Sequence, residues 1–106
     1  MKQGERILTV EIQEISFFFS EDKVTLLQTN QGKKFIVDYT LDEIENLLDP
    51  QFFFRLNRKY LSSVSSITEI FTYSNSRLKV NLENCVDNDI LISREKMSAF
   101  KIWLGQ

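Results

Sequence analysis

The chain has 106 residues, 42% of them hydrophobic and 26% charged, with a net charge of −2 at neutral pH, one cysteine and no histidine. That size allows one buried core, so one domain over 1–106 is expected, and the composition is that of a soluble globular protein. No stretch approaches the roughly 20 apolar residues a membrane crossing needs, MKQGER lacks an export signal, and a lone Cys85 suits a reducing cytoplasm.

In chain order, Ile7, Val10, Ile12 and Ile15 alternate with polar residues and predict extended structure with one buried face. The run Phe17 to Phe19 continues it as a strand buried on both sides. Glu21, Asp22 and Lys23 make a polar turn into the strand VTLLQ, residues 24–28, and NQGKK leads through Gly32 into a third strand at Phe35 to Val37. Thr40 opens TLDE, a capping box in which the threonine oxygen and Glu43 each accept a backbone amide of the other. A helix from Leu41 to Leu48 follows, with Leu41, Ile44 and Leu48 at helical spacing, Asp42, Glu43 and Glu45 on a solvated face, and Pro50 as its stop. FFFRLNRKY, residues 52–60, then joins an apolar anchor to Arg55, Arg58 and Lys59. SSVSS reads as a turn, the region from Ile67 to Tyr73 as apolar and 73–76 as a polar turn. RLKVNL, residues 77–82, alternates as a half-buried strand, 83–89 is a loop, and Ile90 to Ile92 a last strand. Ser93 is placed to cap a final helix whose Met97, Phe100 and Leu104 share a face, with Phe100 and Trp103 covering the core. The expected class is mostly β: an antiparallel domain with one short internal helix and one C-terminal helix.

Charge is segregated along the chain. Residues 1–50 hold ten acids and five bases, a balance of −5, whereas 51–106 hold five acids and eight bases, a balance of +3. The second half is therefore the candidate anion-binding half. Enzyme chemistry is hard to assemble: there is no histidine to act as base or metal ligand, Cys85 has no activating neighbour and reads as an incidental loop residue, and three scattered glycines make no phosphate loop. The acids lie on a helix face or in turns, where ordinary pKa values are expected. Both phenylalanine runs read as core rather than as base-stacking platforms, which need exposed aromatics interleaved with cations. By themselves, Arg58, Lys59 and Arg94 read equally as solvated surface or as a basic contact loop, and Arg55 either joins them or turns onto an acid such as Glu69.

FRLNRKYL at 54–61 and ILISREKM at 90–97, after a β-rich start and the TLDEIENLL helix, carry a resemblance. From Leu8 to Leu104 the chain resembles the LytTR-type DNA-binding domain of bacterial transcriptional regulators. It departs at Ser62 and Ser63, where the family commonly has Val-Asn. The resemblance implies a compact β fold whose loops enter successive major grooves of double-stranded DNA. Its principal contact loop falls on Asn57, Arg58 and Lys59, its C-terminal contact on Arg94 beside Ser93, and a third region on the turn at Asp22 and Lys23, where Lys23 suits phosphate and Asp22 does not. In chemical terms Arg58 and Arg94 offer forks for guanine and Asn57 an amide for adenine, while Lys59, Lys23 and Lys96 suit phosphates. Double-stranded DNA with repeated sites one helical turn apart is the expected partner, bound by a homodimer, with no cofactor, metal, membrane or small-molecule substrate. The alternative is a protein-interaction module that sets the same basic loop on an acidic partner.

Overall fold

Phe17, Phe18 and Phe19 alternate across the pleat of one strand, so a run of three aromatics needs apolar cover on both faces. In the computed structural model that cover is present, and the three side chains are 1%, 4% and 6% exposed. The structure describes residues 10–72 and 77–105, together with the backbone of 2–3, 6–7 and 73. The strand is β3 (Ile15–Glu21), preceded by a short antiparallel pair, β1 (Lys2–Gln3) and β2 (Arg6–Ile7). It lies at the centre of a five-stranded antiparallel sheet that also contains β4 (Val24–Thr29), β5 (Lys34–Val37), β6 (Phe53–Arg55) and β7 (Tyr60–Ser63), in the order β5-β4-β3-β7-β6.

One face of this sheet, with Ile15, Phe18, Leu27, Phe53 and Leu61, packs on Leu41 and Ile44 of the helix α1 (Leu41–Leu47). The capping box forms as the sequence demands: Glu43 N donates to Thr40 Oγ1 at 3.1 Å and Thr40 N to Glu43 Oε1 at 2.9 Å. The other face, with Phe17, Phe19 and Tyr60, is covered by a second sheet, β10-β9-β8, and by the C-terminal helix α2 (Met97–Leu104). The second sheet is made of β8 (Ile67–Tyr73), β9 (Arg77–Leu82) and β10 (Ile90–Leu91). Val80, Leu82 and Ile90 supply its buried side, and Phe100 and Trp103 close the core from the helix. The architecture is therefore mostly antiparallel β with one internal and one C-terminal helix. No helix among the described residues is long and apolar enough to cross a membrane.

Several local expectations are corrected. Residues Ile12–Glu14 form a 3-10 turn rather than extended strand, because Glu11 and Glu14 cap one another, and Ile12 is left 56% exposed. Phe52 lies before β6 in the turn that follows Pro50 and is exposed, unlike Phe53. Ser62 and Ser63 are buried in β7, where small side chains fit opposite Phe54 and Phe53, so the turn begins only at Val64. Ser93 makes no side-chain cap; it precedes a 3-10 turn at Arg94–Lys96 that leads into α2. The polar turn expected at 73–76 lies outside the described residues apart from its first backbone position, as does Leu8.

Candidate nucleic-acid interface

The stretch FFFRLNRKYL is not one strand but a hairpin. Arg55 pairs with Leu61, Leu56 N donates to Tyr60 O at 2.9 Å, and only Asn57, Arg58 and Lys59 remain as the tip. Three-residue hairpin loops usually turn on a left-handed residue, commonly glycine. None of these three has a positive φ, so the closure has to come from elsewhere.

Two side chains supply it. Asn57 Oδ1 accepts from the amides of Lys59 (2.8 Å) and Tyr60 (3.0 Å), as asparagine does in turns. Arg55 curls back so that Nε donates to Asn57 O at 2.7 Å and Nη2 to Arg58 O at 3.0 Å. The third carbonyl of the tip, Lys59 O, accepts from Ser20 N at 3.0 Å. All three tip carbonyls therefore have partners, and the loop is set before any ligand arrives.

Arg55 is itself held from behind. Its Nη1 reaches Asp42 at 2.7 Å and Glu45 at 3.0 Å on α1, and its side chain is only 12% exposed. Glu69, the acid suggested by the sequence, instead accepts from Asn81. The acidic face of α1 is thus not wholly given to solvent, since two of its carboxylates anchor the arginine. The hydrogen bond from Arg55, and then its charge, hold Asp42 below the ordinary carboxylate value, so the expectation of unperturbed acids fails there.

The far end of the chain is stitched to the same loop. Asn57 Nδ2 donates to Leu91 O at 2.7 Å, Ser93 N to Leu56 O at 3.1 Å, and Arg77 Nη2 to Ile92 O at 3.0 Å. These bonds bring Ser93 and Arg94 beside the hairpin tip although more than thirty positions separate them in sequence. Arg58, Lys59 and Arg94 are exposed, and neither guanidinium of Arg58 and Arg94 has a partner among the described residues. Lys96 is half-buried, with Nζ 3.9 Å from Glu45. Sequence reasoning missed Arg77, whose position at the start of β9 gave no sign that it supports the Ser93–Arg94 segment.

Asp22 and Lys23 form the two-residue turn between β3 and β4, at φ 53° and 65°. The pairing of Phe19 with Tyr60 puts this turn at the same end of the sheet as the 57–59 tip. A left-handed lysine costs free energy that glycine would not. Lys23→Gly is therefore expected to stabilise the fold by about 0.5–1 kcal/mol, seen as a later urea midpoint, while weakening binding to a polyanion.

On the sheet face behind the tip, Tyr60 donates to Asp87 Oδ2 at 2.9 Å, and burial, followed by that bond, pushes the phenol well above its ordinary range. Cys85 is half-buried in the same loop, its sulfur 4.0 Å from the Tyr60 hydroxyl. Among the described residues no group of three or more His, Cys, Asp or Glu is placed to hold a metal ion.

A family model for the LytTr DNA-binding domain matches residues 5–105. The chain belongs to the LytTr DNA-binding domain family. Among solved structures, it is similar to the LytTr DNA-binding domain of a methyl-accepting/DNA response regulator from Bacillus cereus, with a TM-score of 0.81 and 23% identity over 99% of this chain and 94% of that one. At that identity the likeness establishes a shared fold. No curated protein matches the chain. In this LytTr domain the tip is free of glycine and its shape is set by Arg55 and Asn57.

Proposed function

We propose that this LytTr domain binds double-stranded DNA sequence-specifically, as the output module of a bacterial transcription regulator, by placing the 57–59 tip and Arg94 in the major groove. The observation that carries the reading is the pair of unpartnered, exposed arginines on segments bonded to one another through Asn57 and Ser93. Such a pair presents two guanidinium forks at a set separation, which suits bidentate readout of guanine. Lys59, Lys23 and Lys96 then neutralise phosphates and fix the register, Ser93 holds the Arg94 segment, and Asp22 is the unfavourable neighbour that Lys23 offsets. Asn57 holds the tip rather than reading adenine, because both lone-pair directions of Oδ1 and one amide hydrogen are already used in the fold.

Selection from random-sequence duplex tests this directly. An enriched motif with two sites one helical turn apart supports a homodimer on DNA; no enrichment points instead to an acidic protein partner. On the selected site, about four phosphate contacts give a log-log salt slope of roughly −3.6, or about 150-fold weaker binding at 200 than at 50 mM salt. Arg58→Ala and Arg94→Ala are each expected to cost about 1–3 kcal/mol there and much less on random duplex. Equal losses on both duplexes would reassign the arginines to phosphate.

A further inference from the structure

Beside the reading tip stands a second, oppositely charged wall. An open groove of about 320 Å³ is lined on one side by Asn57, Arg58 and Lys59 and on the other by Asp87 and Asp89, from the loop between β9 and β10. We propose that these two aspartates limit the affinity of the basic tip for DNA: a negative wall in the same groove that opposes phosphates whatever the sequence. The proposal rests on the DNA-binding reading above.

The wall is rigid. Asp87 accepts from the Tyr60 hydroxyl through one oxygen and from Asp89 N through the other, both at 2.9 Å. The root of the loop is held by Gln28, which donates to Asn84 O at 2.6 Å, and by Asn84, which donates to Asn30 O at 2.9 Å. The Asp87 carboxylate therefore cannot simply swing aside when a polyanion approaches, and Asp89 is carried on the same braced loop through its backbone amide. Neither charge is neutralised, since neither aspartate makes an ion pair among the described residues although Arg58 and Lys59 line the same groove. Asp89 is exposed and its side chain has no partner there, so no contact in the fold explains a charge at this position.

The energetic consequence is the same on every sequence. Backbone-only binding draws nearly all its free energy from phosphate neutralisation, so a like charge beside the basic tip subtracts directly from it. A cognate complex adds base contacts made by Arg58 and Arg94 to those same phosphate contacts, so the wall subtracts from it equally. Removing the charge should thus strengthen random and cognate binding by a similar factor.

The test is fluorescence anisotropy with a random-sequence duplex and with the selected duplex, using Asp89→Asn, a double Asp87→Asn/Asp89→Asn variant and Lys59→Ala. Asp89→Asn is expected to bind the random and the selected duplex each about fivefold tighter, with an unchanged melting temperature. The double variant should go further in the same direction. If Lys59→Ala weakens random binding while Asp89→Asn leaves it unchanged or also weakens it, the wall has no repulsive role and the inference falls with DNA binding intact. If the wild-type protein binds neither duplex, the reading and the inference fall together.

Discussion

An Arg55→Ala variant is expected to lose about 2–3 kcal/mol of unfolding free energy through its two carbonyl bonds alone, and most of its affinity for any duplex, although the Arg55 side chain is largely buried and every nitrogen of its guanidinium donates within the fold. The guanidinium is the connector between α1 and the tip: Asp42 and Glu45 hold one end, and the carbonyls of Asn57 and Arg58 accept from the other. Without it two carbonyls lose their donor, Asp42 loses its counterion, Glu45 is left with Lys96 at 3.9 Å, and the tip loses half of what closes it. Arg55→Lys is the informative companion, because a single ammonium can stay near the carboxylates but cannot serve them and two carbonyls at once. The lysine variant should recover part of the stability in urea while leaving DNA binding impaired. The pH dependence follows from Asp42, whose folded value is depressed by Arg55. A depressed carboxylate contributes stability that is present above its ordinary value, about 4, and is lost as pH falls through the folded value. The wild-type domain should therefore lose loop order on acidification below about pH 4, and Arg55→Ala should show a flatter profile there. Amide hydrogen exchange at Lys59 and Tyr60 reads the loop separately from the core. A variant as stable as wild type with protected amides would remove Arg55 from this role.

What could be read from the sequence was set by local chemistry. TLDE specifies its own cap within four residues, and α1 forms where expected. RLKVNL shows its buried side through alternation, and Phe17 to Phe19 are covered on both faces of β3 as read, whereas the second run is core only from Phe53 because Phe52 stays exposed in the turn. The hairpin hidden in FFFRLNRKYL could not be read in the same way. It has no glycine and no left-handed residue to announce a turn, because the closure comes from the side chains of Arg55 and Asn57. Their other partners lie on α1 and at Leu91, and no local periodicity encodes contacts of that range. The pairing of Arg55 with Asp42 and Glu45 rather than Glu69 is a tertiary choice made by the packing of α1 against the sheet. Arg58 and Arg94 read by themselves equally as solvated surface or as a contact loop, and only the resemblance favours the second; charge counting locates their half of the chain.

Asn57→Ala is expected to weaken binding to the selected and the random duplex alike, by about 10-fold or more, and to destabilise the fold by about 2–3 kcal/mol. The reason is the distribution of its three hydrogen bonds. Two hold the amides of Lys59 and Tyr60 at the end of the tip and the third ties the tip to Leu91, two residues before Ser93. Removing the side chain therefore frees Arg58 and Lys59 from their set geometry and loosens the Arg94 segment in the same step. A residue that read adenine would behave otherwise: its loss would be confined to the selected duplex, at sites carrying that base, and would leave the urea midpoint unchanged. Asn57→Asp separates the two further. An aspartate keeps the acceptor for both amides but cannot donate to Leu91 O, and it brings a negative charge toward phosphate. If Asn57 braces the tip, Asn57→Asp should retain amide protection at Lys59 and Tyr60 and yet bind every duplex more weakly than wild type. If instead both variants fold as stably as wild type and fail only on the selected sequence, Asn57 belongs among the base readers and Arg55 alone shapes the tip.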